Sequence, residues 1–367
     1  GLCVVHDPAA GKAEIFDFLA GAAKRHGAYA VPGNVSGFSF LQSSYGRLPW
    51  AQVISPAERA AAAGFPISQA LSTRLASTQD YIRLDAGLSA EFLDESGHVK
   101  PAGSIVVAPE LADTLSKIRT EGAAVFYRGD IASELIAYTN TGSNGFSTDD
   151  LAAYSPRRIT PNSVRMGDDT VFFPPTDLGA GKYAAALLSR LLDAEGHPAA
   201  TNNLGGSVAA ATKATMDASG VGSLPRDFGA TGFASEDSNG MATACAVTMN
   251  GPFGSGHTAS GTGIILAAAP NTDQSSQAST FLTPAIAANA DKITSFAGAG
   301  AGGPNGTAAI ALALLELTAG KDIAAPGALH STGLAPYDTV NVIACQNGVC
   351  AALADPGAHG LGASGSP

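Results

Sequence analysis

One stretch in the second half of the chain constrains the fold more than any other. Residues 230–263 read ATGFASEDSNGMATACAVTMNGPFGSGHTASGTG, in which EDSNG separates two runs of small, apolar and hydroxyl residues. Asn-Gly is a strong signal for a tight turn, and alternating runs of this kind are typical of strands. The pattern predicts a β-hairpin with Thr231 at the head of its first strand, brought back beside Thr248 and Asn250.

Such a hairpin suits a nucleophile that self-cleavage creates. If the Thr231 hydroxyl attacks the Ala230–Thr231 peptide bond and the resulting ester is hydrolysed, Thr231 gains a free α-amino group next to its own hydroxyl. An α-amino group titrates near ~8, so it can serve as the base that a weakly nucleophilic hydroxyl needs. We expect Thr248 and Asn250 to orient the hydroxyl and to polarise the carbonyl group.

Composition excludes some classes of function. The 367 residues are 45% hydrophobic and 14% charged, with a formal net charge of −11. This length fits one large or two ordinary domains with a sizeable core. Binding to nucleic acid requires clustered Lys and Arg, and no apolar run approaches the ~20 residues of a membrane helix. We therefore expect neither a nucleic-acid partner nor a membrane span.

Further segments carry a resemblance to a known family. The matching segments, in chain order, are VPGNVSGF (31–38), YGRLPW (45–50), PAERAAAAGFPIS (56–68), GAAVFYRGDIASELI (122–136), STDDLAAY (147–154), FFPPTDLGAGK (172–182), ATGFAS (230–235), VTMNGPFGSG (247–256), GTGIIL (261–266) and DPGAHGLGA (355–363). Together they resemble the γ-glutamyltranspeptidases, which are N-terminal nucleophile (Ntn) hydrolases.

The resemblance implies a fold, a processing event and a reaction. The fold is an α+β, four-layer αββα sandwich that forms one compact unit, in which residues 1–230 correspond to a large subunit and residues 231–367 to a small subunit. The chain would cleave itself at Ala230–Thr231 and act without a cofactor on a small amide or γ-glutamyl-type substrate through an acyl-enzyme. Its partners would be the two fragments of the same precursor. An N-terminal piece, and any signal peptide, would be absent from the sequence.

The segment Gly298–Gly303, GAGAGG, has two interpretations. It matches the GxGxxG fingerprint of dinucleotide sites, but no acidic residue ends a second parallel strand about 20 residues later, since Asp322 follows a helix. In the resembled family, Gly302 and Gly303 align with a Gly-Gly pair whose amides form the oxyanion hole. Pro304 stands where the family has Ser, which would remove one amide donor.

The sequence departs from the family at the substrate clamp. Where members bind the γ-glutamyl carboxylate with Arg, this chain has Leu19, and Ala267–Ala269 replace a polar run that leads to carboxylates. Thr280 and Phe281 stand in place of paired serines. A second hypothesis is therefore an acylase for a less polar amide. A third is a non-catalytic relative that binds a ligand or partner.

Cysteine and histidine positions bear on compartment and metal binding. Cys345 and Cys350 flank an Asn-Gly turn, so a bridge between them is expected if they pair across a hairpin, and reduced cysteines are the alternative. Cys3 and Cys245 lie in apolar runs and are expected to be buried thiols. The possible bridge favours a periplasmic or secreted location. The histidines lack metal-site spacing, so no metal is expected.

Overall fold

The computed structural model describes residues 1–24, 27–140, 145–199, 202–220, 224, 227–270, 273–321, 339–346, 349–355 and 358–364. The predicted Asn-Gly turn at 347–348 and the acidic residue Asp322 lie outside these ranges. Contacts between residues divide the chain into two compact units. Unit 1 comprises Gly1–Asp17, Arg157–Thr248 and Ser276–Pro367, and unit 2 comprises Phe18–Pro156 and Met249–Ser275.

The described residues form 17 strands and 13 helices. The strands are β1 (Leu2–Asp7), β2 (Lys12–Asp17), β3 (Gly21–Ala22), β4 (Ala30–Val31), β5 (Phe65–Pro66), β6 (Ile105–Val106), β7 (Arg157–Ile159), β8 (Asn162–Met166), β9 (Asp169–Phe173), β10 (Ala230–Glu236), β11 (Ala242–Thr248), β12 (Thr258–Ala259), β13 (Ile264–Ile265), β14 (Thr283–Ala288), β15 (Thr294–Ala301), β16 (Thr339–Gln346) and β17 (Val349–Ala354). The helices are α1 (Asn34–Tyr45), α2 (Trp50–Ala63), α3 (Gln69–Ser77), α4 (Gln79–Ile82), α5 (Ala86–Phe92), α6 (Pro109–Glu121), α7 (Ala124–Arg128), α8 (Asp130–Thr139), α9 (Thr148–Ala152), α10 (Gly179–Leu188), α11 (Leu204–Ala218), α12 (Asp273–Thr280) and α13 (Pro304–Thr318).

Unit 1 is built on two antiparallel sheets that pack face to face. One sheet has the order β10-β11-β1-β2-β7 and the other β17-β16-β15-β14-β9-β8. Neighbouring residues of β15 point in opposite directions, as a strand requires. A Cβ atom added to Gly232 of β10 would lie 2.7 Å from the Ala299 carbonyl oxygen of β15, so β10 packs closely on one side of this strand. A Cβ atom added to Gly300 of β15 would instead contact the Gly306 carbonyl oxygen, so α13 lies on the other side. The six-stranded sheet is therefore sandwiched between the other sheet and a helical layer.

The helical layer of unit 1 covers its largest apolar cluster. Helix α13 packs against β14, β15 and β16, and α10 and α11 pack against α13. Nearly every side chain of α13 from Pro304 to Leu315 is buried, because the helix is covered on one side by the sheet and on the other by helices. A helix that is apolar all round is expected in such an interior position.

Unit 2 is mainly helical. It contains α1 to α9 and the two-stranded pairs β3-β4, β5-β6 and β12-β13. Helix α9 begins with a capping box: the Ser147 hydroxyl accepts from the Asp150 amide, and the Asp150 carboxylate accepts from the Ser147 amide. Helix α6 begins at Pro109, whose missing amide hydrogen costs nothing in the first turn. None of the described helices has both the length and the apolar character that crossing a bilayer requires.

Several local predictions for unit 1 are confirmed. The predicted turn at 236–240 joins β10 to β11, and short turns at 8–11 and 167–169 likewise join the paired strands β1-β2 and β8-β9. The closing hairpin β16-β17 is also present, and its register pairs Cys345 with Cys350, which are disulfide-bonded. The glycine-rich segment 298–303 lies largely within β15 rather than in a loop, which disfavours a phosphate-binding turn.

The prediction that Cys3 and Cys245 are buried thiols is wrong, because they form a second disulfide. Strands β1 and β11 are neighbours in the five-stranded sheet, and their register places Cys3 opposite Cys245. Side chains directly opposite each other on antiparallel strands point to the same face, so the two sulfur atoms meet. Both residues are fully buried, as the apolar runs around them predict.

Candidate active site

The head of the predicted nucleophile hairpin has a defined register. Strands β10 and β11 place Thr231 opposite Val247 and Ala230 opposite Thr248. Successive side chains of a strand alternate between its faces, so Thr231 and Thr248 point to opposite faces. Thr231 is exposed, whereas Ala230 and Gly232 are buried. The predicted hairpin is confirmed. Its register, however, places the Thr231 and Thr248 side chains on opposite faces, whereas the sequence pattern predicted that they lie side by side.

Thr248 instead contacts the chain that leads into the Ala230–Thr231 bond. Its hydroxyl lies 3.2 Å from the Phe228 carbonyl oxygen and 3.1 Å from the Gly229 carbonyl oxygen, and it donates to this pair of acceptors. Gly229 has φ +59°, and its amide donates to Asp227 Oδ1 at 2.8 Å. A side-chain acceptor two residues before the donor closes an Asx turn. The backbone just before the bond is thus fixed from two sides.

The same approach segment is held by an aromatic cluster. Phe281 is 1% exposed, and its ring packs edge-on against Phe228 at 5.4 Å and against Tyr183 at 4.9 Å between centroids. Thr280, the last residue of α12, is half-buried next to it. Phe281 therefore supports the residue three positions before Thr231. Substrate contact by Thr280 and Phe281 stays a prediction.

The predicted oxyanion residues follow the end of β15. Gly302 has φ +98° and Gly303 has φ +141°, both in the region where glycine is strongly preferred, and both are buried. Among the described backbone hydrogen bonds outside helices and strand ladders, Gly303 accepts from Gly306 but neither Gly302 nor Gly303 donates. Pro304 is the first residue of α13, where its lack of an amide hydrogen has no cost to the helix.

Two predicted site residues belong to unit 2. Asn250 is 8% exposed, has φ +60°, and donates from Nδ2 to the Ala268 carbonyl at 2.9 Å. Leu19 is half-buried, and its carbonyl accepts from the Tyr154 hydroxyl at 3.0 Å. Ala267–Ala269 also form backbone hydrogen bonds within unit 2. Asn250 is thus held by Ala268, which lies in the segment that replaces a polar run of the resembled family. Orientation of the nucleophile by Asn250 and substrate contact by Leu19 stay predictions.

Two neighbours of the site were not predicted from the sequence. Asp227 is 8% exposed, and its carboxylate fixes the amide of Gly229. The sequence Asp-x-Gly is a local turn signal that could have indicated this role of Asp227. Tyr183 is 3% exposed, and its hydroxyl has no hydrogen-bond partner among the described residues. Burial raises the pKa of Tyr183, so this phenol stays neutral. Nothing in the local sequence around Tyr183 distinguishes it from an ordinary core residue.

One cluster of the described residues has the residue types and spacing of a metal site. Ligand atoms of Glu236, Cys345 and Cys350 lie within 4.8 Å of one another. Both sulfur atoms are disulfide-bonded and offer no thiolate, which is the form of cysteine that binds metals. The cluster therefore does not have the donor set of a metal site in this state. The expectation of no metal stays a prediction.

Comparison with known proteins identifies the family. Residues 6–195, just over half of the chain, match the family described as Gamma-glutamyltranspeptidase. The chain belongs to the γ-glutamyltranspeptidase family. Glutathione hydrolase 2 of Arabidopsis thaliana is 34% identical over 169 residues, which are 46% of this chain and 29% of that protein. The chain thus aligns with less than a third of that relative, and the family match ends before Thr231.

Solved structures extend the likeness to the whole chain. The cephalosporin acylase of Bacillus halodurans has a TM-score of 0.72 at 16% identity and covers 100% of this chain and 87% of its own. The γ-glutamyltranspeptidase of Helicobacter pylori has a TM-score of 0.51 at 23% identity, covering 60% and 69%. These likenesses concern the fold. The predicted fold class, the α+β αββα sandwich of Ntn hydrolases, is therefore confirmed.

Proposed function

We propose that this member of the γ-glutamyltranspeptidase family is an Ntn amidohydrolase or acyltransferase that cleaves itself at Ala230–Thr231. Thr231 would be the nucleophile and, through its new α-amino group, the base. Thr248 and Asn250 would orient it, and the amides of Gly302 and Gly303 would bind the oxyanion. Relatives named as proenzymes, such as the glutathione hydrolase proenzyme of Pseudomonas aeruginosa, are consistent with processing.

One observation carries the proposal. The Thr248 hydroxyl holds the carbonyl groups of Phe228 and Gly229, immediately before the bond that is to be cut. A hydroxyl in this place restrains the backbone that leads to Ala230, while the Thr231 side chain remains exposed on the strand that follows. Fixing the reacting groups before the reaction lowers the entropy cost of reaching the transition state.

The self-cleavage step requires no outside group except water. The Thr231 Oγ attacks the Ala230 carbonyl carbon, the C–N bond breaks, and the Thr231 nitrogen leaves as an amine that takes up the hydroxyl proton. Water then hydrolyses the ester, which leaves an Ala230 carboxylate and restores the Thr231 hydroxyl. Departure of the preceding segment releases the Thr248 hydroxyl from the Phe228 and Gly229 carbonyls, so that it becomes available to the new chain end.

In turnover, the Thr231 amine accepts the proton of its own hydroxyl as Oγ attacks the substrate amide carbonyl. The developing negative charge falls on the carbonyl oxygen, where preorganised hydrogen-bond donors such as backbone amides stabilise it. Gly302 and Gly303 fit this role because their positive φ values turn the backbone in a way that other residues adopt only with strain. Collapse of the intermediate expels the amine, and water or a second amine then removes the acyl group.

Leu19 and Ala267–Ala269 favour a second candidate for the substrate. A desolvated carboxylate needs a cation in bidentate contact, which Leu19 cannot supply. An acylase that accepts a less polar amide is therefore the alternative to a γ-glutamyl enzyme. Comparing the release of p-nitroaniline from γ-glutamyl and aliphatic acyl anilides separates the two. Turnover of the glutamyl compound alone would exclude the acylase.

A non-catalytic binding relative is the remaining alternative. It predicts a single uncut chain that does not react with hydroxyl-directed electrophiles. A periplasmic or secreted location belongs to the proposal too, and the two disulfides support it because such bonds persist in oxidising compartments.

The deciding experiment is mass spectrometry of the purified protein after disulfide reduction, with Thr231→Ala alongside it. The wild type should give two fragments, the second beginning at Thr231, and Thr231→Ala should give one chain. Thr231→Ser is the matched control, because it keeps a hydroxyl and should still be cut. An uncut wild type, or a Thr231→Ala chain cut at the same bond, would overturn the processing proposal.

A further inference from the structure

The far end of the nucleophile hairpin carries a second chemical group that the proposed reaction does not use. Glu236, the last residue of β10, has its Oε2 3.2 Å from Cys345 Sγ and its Oε1 3.9 Å from Cys350 Sγ. We propose that the Cys345–Cys350 disulfide, with Glu236 beside it, is a thiol–disulfide exchange site that reacts with small thiols.

The two sulfur atoms differ in access, which sets the direction of attack. Cys350 lies on β17, the edge strand of the six-stranded sheet, and is exposed, whereas Cys345 on β16 is half-buried. A thiolate attacks one sulfur of a disulfide and expels the other. Access therefore makes Cys350 the sulfur that is attacked and Cys345 the leaving group. Cys345 is also the sulfur closer to Glu236.

The contact between Glu236 and Cys345 favours a protonated carboxyl group. A disulfide sulfur carries no hydrogen, so a hydrogen bond at this distance requires the carboxyl group to donate. The strands that pack against β10 are β11, β15 and β16, and apart from cysteine they bear no ionisable side chain. Two ionisable residues remain close to Glu236 along the sheet: Asp237 is next in sequence, and His6 lies beyond Ala242 in the same cross-strand row.

These surroundings place the proton where a leaving thiolate needs it. Burial, reinforced by the negative charge of Asp237, raises the pKa of Glu236 to about 7. Burial also lowers the pKa of His6, so His6 supplies no compensating positive charge near neutral pH. Glu236 is thus protonated in mildly acidic solution and can act as a general acid toward Cys345.

The exchange balances with a dithiol as the reductant. One thiolate of the dithiol forms a bond with Cys350 Sγ, the Cys345–Cys350 bond breaks, and its electron pair moves to Cys345 Sγ. That sulfur takes the proton of Glu236, which is replaced from solvent. The second thiol of the reagent then displaces Cys350, which leaves two protein thiols and the oxidised, cyclic reagent.

The test measures reduction by dithiothreitol of wild type, Glu236→Gln and Glu195→Gln. Samples are quenched with an alkylating agent, and mass spectrometry follows each disulfide separately. Rate constants are expressed per dithiothreitol thiolate, which removes the ionisation of the reagent. Glu195 is an exposed carboxylate of the same unit and serves as the matched control. The Cys3–Cys245 bridge is an internal control, because both of its residues are 0% exposed.

For the wild type and Glu195→Gln, the Cys345–Cys350 rate constant should fall about tenfold from pH 6 to pH 9, as Glu236 loses its proton. Glu236→Gln should be about tenfold slower at pH 6 and independent of pH, because an amide cannot transfer the proton. Cys3–Cys245 should stay oxidised throughout and so reports an intact fold. Equal profiles for wild type and Glu236→Gln, or reduction of Cys345–Cys350 no faster than that of Cys3–Cys245, would overturn the proposal.

Discussion

The two ends of the β10-β11 hairpin are held in different ways. At the open end, Thr248 and Phe281 hold the segment that precedes Thr231, by hydrogen bonds to carbonyl groups and by ring packing. At the turn end, the Thr294 hydroxyl donates to the Gly240 carbonyl at 2.9 Å and lies 3.0 Å from His6 Nδ1. Because the single Thr294 hydrogen is used on Gly240, His6 must donate through Nδ1.

This difference matches what self-cleavage would require of each end. The contacts at the open end are made to the departing chain, so they can guide the reaction and then be lost. The contacts at the turn end join β1, the hairpin and β15 within unit 1, and none of them involves residues 228–230, which must move away from Thr231 after the cut. Substitutions at the open end should therefore affect processing, and those at the turn end should affect stability alone.

The largest expected effect tests how far the open end depends on packing. Phe281→Ala, made in the uncut Thr231→Ala chain, should lower the free energy of unfolding by about 3–5 kcal/mol, since it leaves a cavity beside Phe228 and Tyr183. Phe233→Ala is the control, because Phe233 is 43% exposed and should cost less than about 1 kcal/mol. Urea denaturation measures both. Equal costs for the two variants would mean that the aromatic cluster does not hold this segment.

A smaller effect, on rate, is expected at Thr248. Thr248→Val keeps the shape of the side chain but removes the hydroxyl, and it should slow self-cleavage about a hundredfold, equivalent to about 2.7 kcal/mol. Thr248→Ser should restore most of the rate. The fraction of cut chain is followed over time by mass spectrometry. Thr243→Val, in the same strand, controls for the change of residue type, and wild-type cleavage by Thr248→Val would contradict the assigned role.

The smallest effect should appear at the turn end. Thr294→Val leaves buried His6 and the Gly240 carbonyl without their partner, so the free energy of unfolding should fall by about 2 kcal/mol. Thr294→Ser keeps the hydroxyl and should fall by less. Denaturation is again measured in the Thr231→Ala chain, and the cleavage rate in the otherwise native chain should be unchanged. A Thr294→Val protein that folds with native stability but fails to cut itself would reverse the comparison between the two ends.

Local signals in the sequence predicted much of unit 1. The Asn-Gly dipeptide and alternating strands were sufficient for the β10-β11 hairpin, and a second Asn-Gly dipeptide between two cysteines indicated β16-β17. A tight turn and its flanking strands are specified by residues close in sequence, so they need no tertiary information. The glycines at 302 and 303 were singled out through the family resemblance, and their positive φ values agree with a special backbone role.

The remaining features depend on contacts between distant segments. The face on which Thr248 lies follows from the hairpin register, and a shift of one residue moves every side chain to the other face. The adjacency of β1 and β11, which joins Cys3 to Cys245 across 242 positions, depends on the strand order of the whole sheet. The packing of Phe281 on Phe228 likewise requires the folded unit. Apolar runs predict burial, but they do not predict the partner.

The Cys3–Cys245 bridge has a consequence for a cut chain. Cys3 lies in the fragment before Thr231 and Cys245 in the fragment after it, so the bridge ties the two products together. Maturation would then yield a single covalently tethered molecule rather than a pair of subunits free to dissociate. The local concentration of one fragment around the other would be set by the tether and not by dilution. An enzyme released into a large volume would thereby retain both halves of its fold.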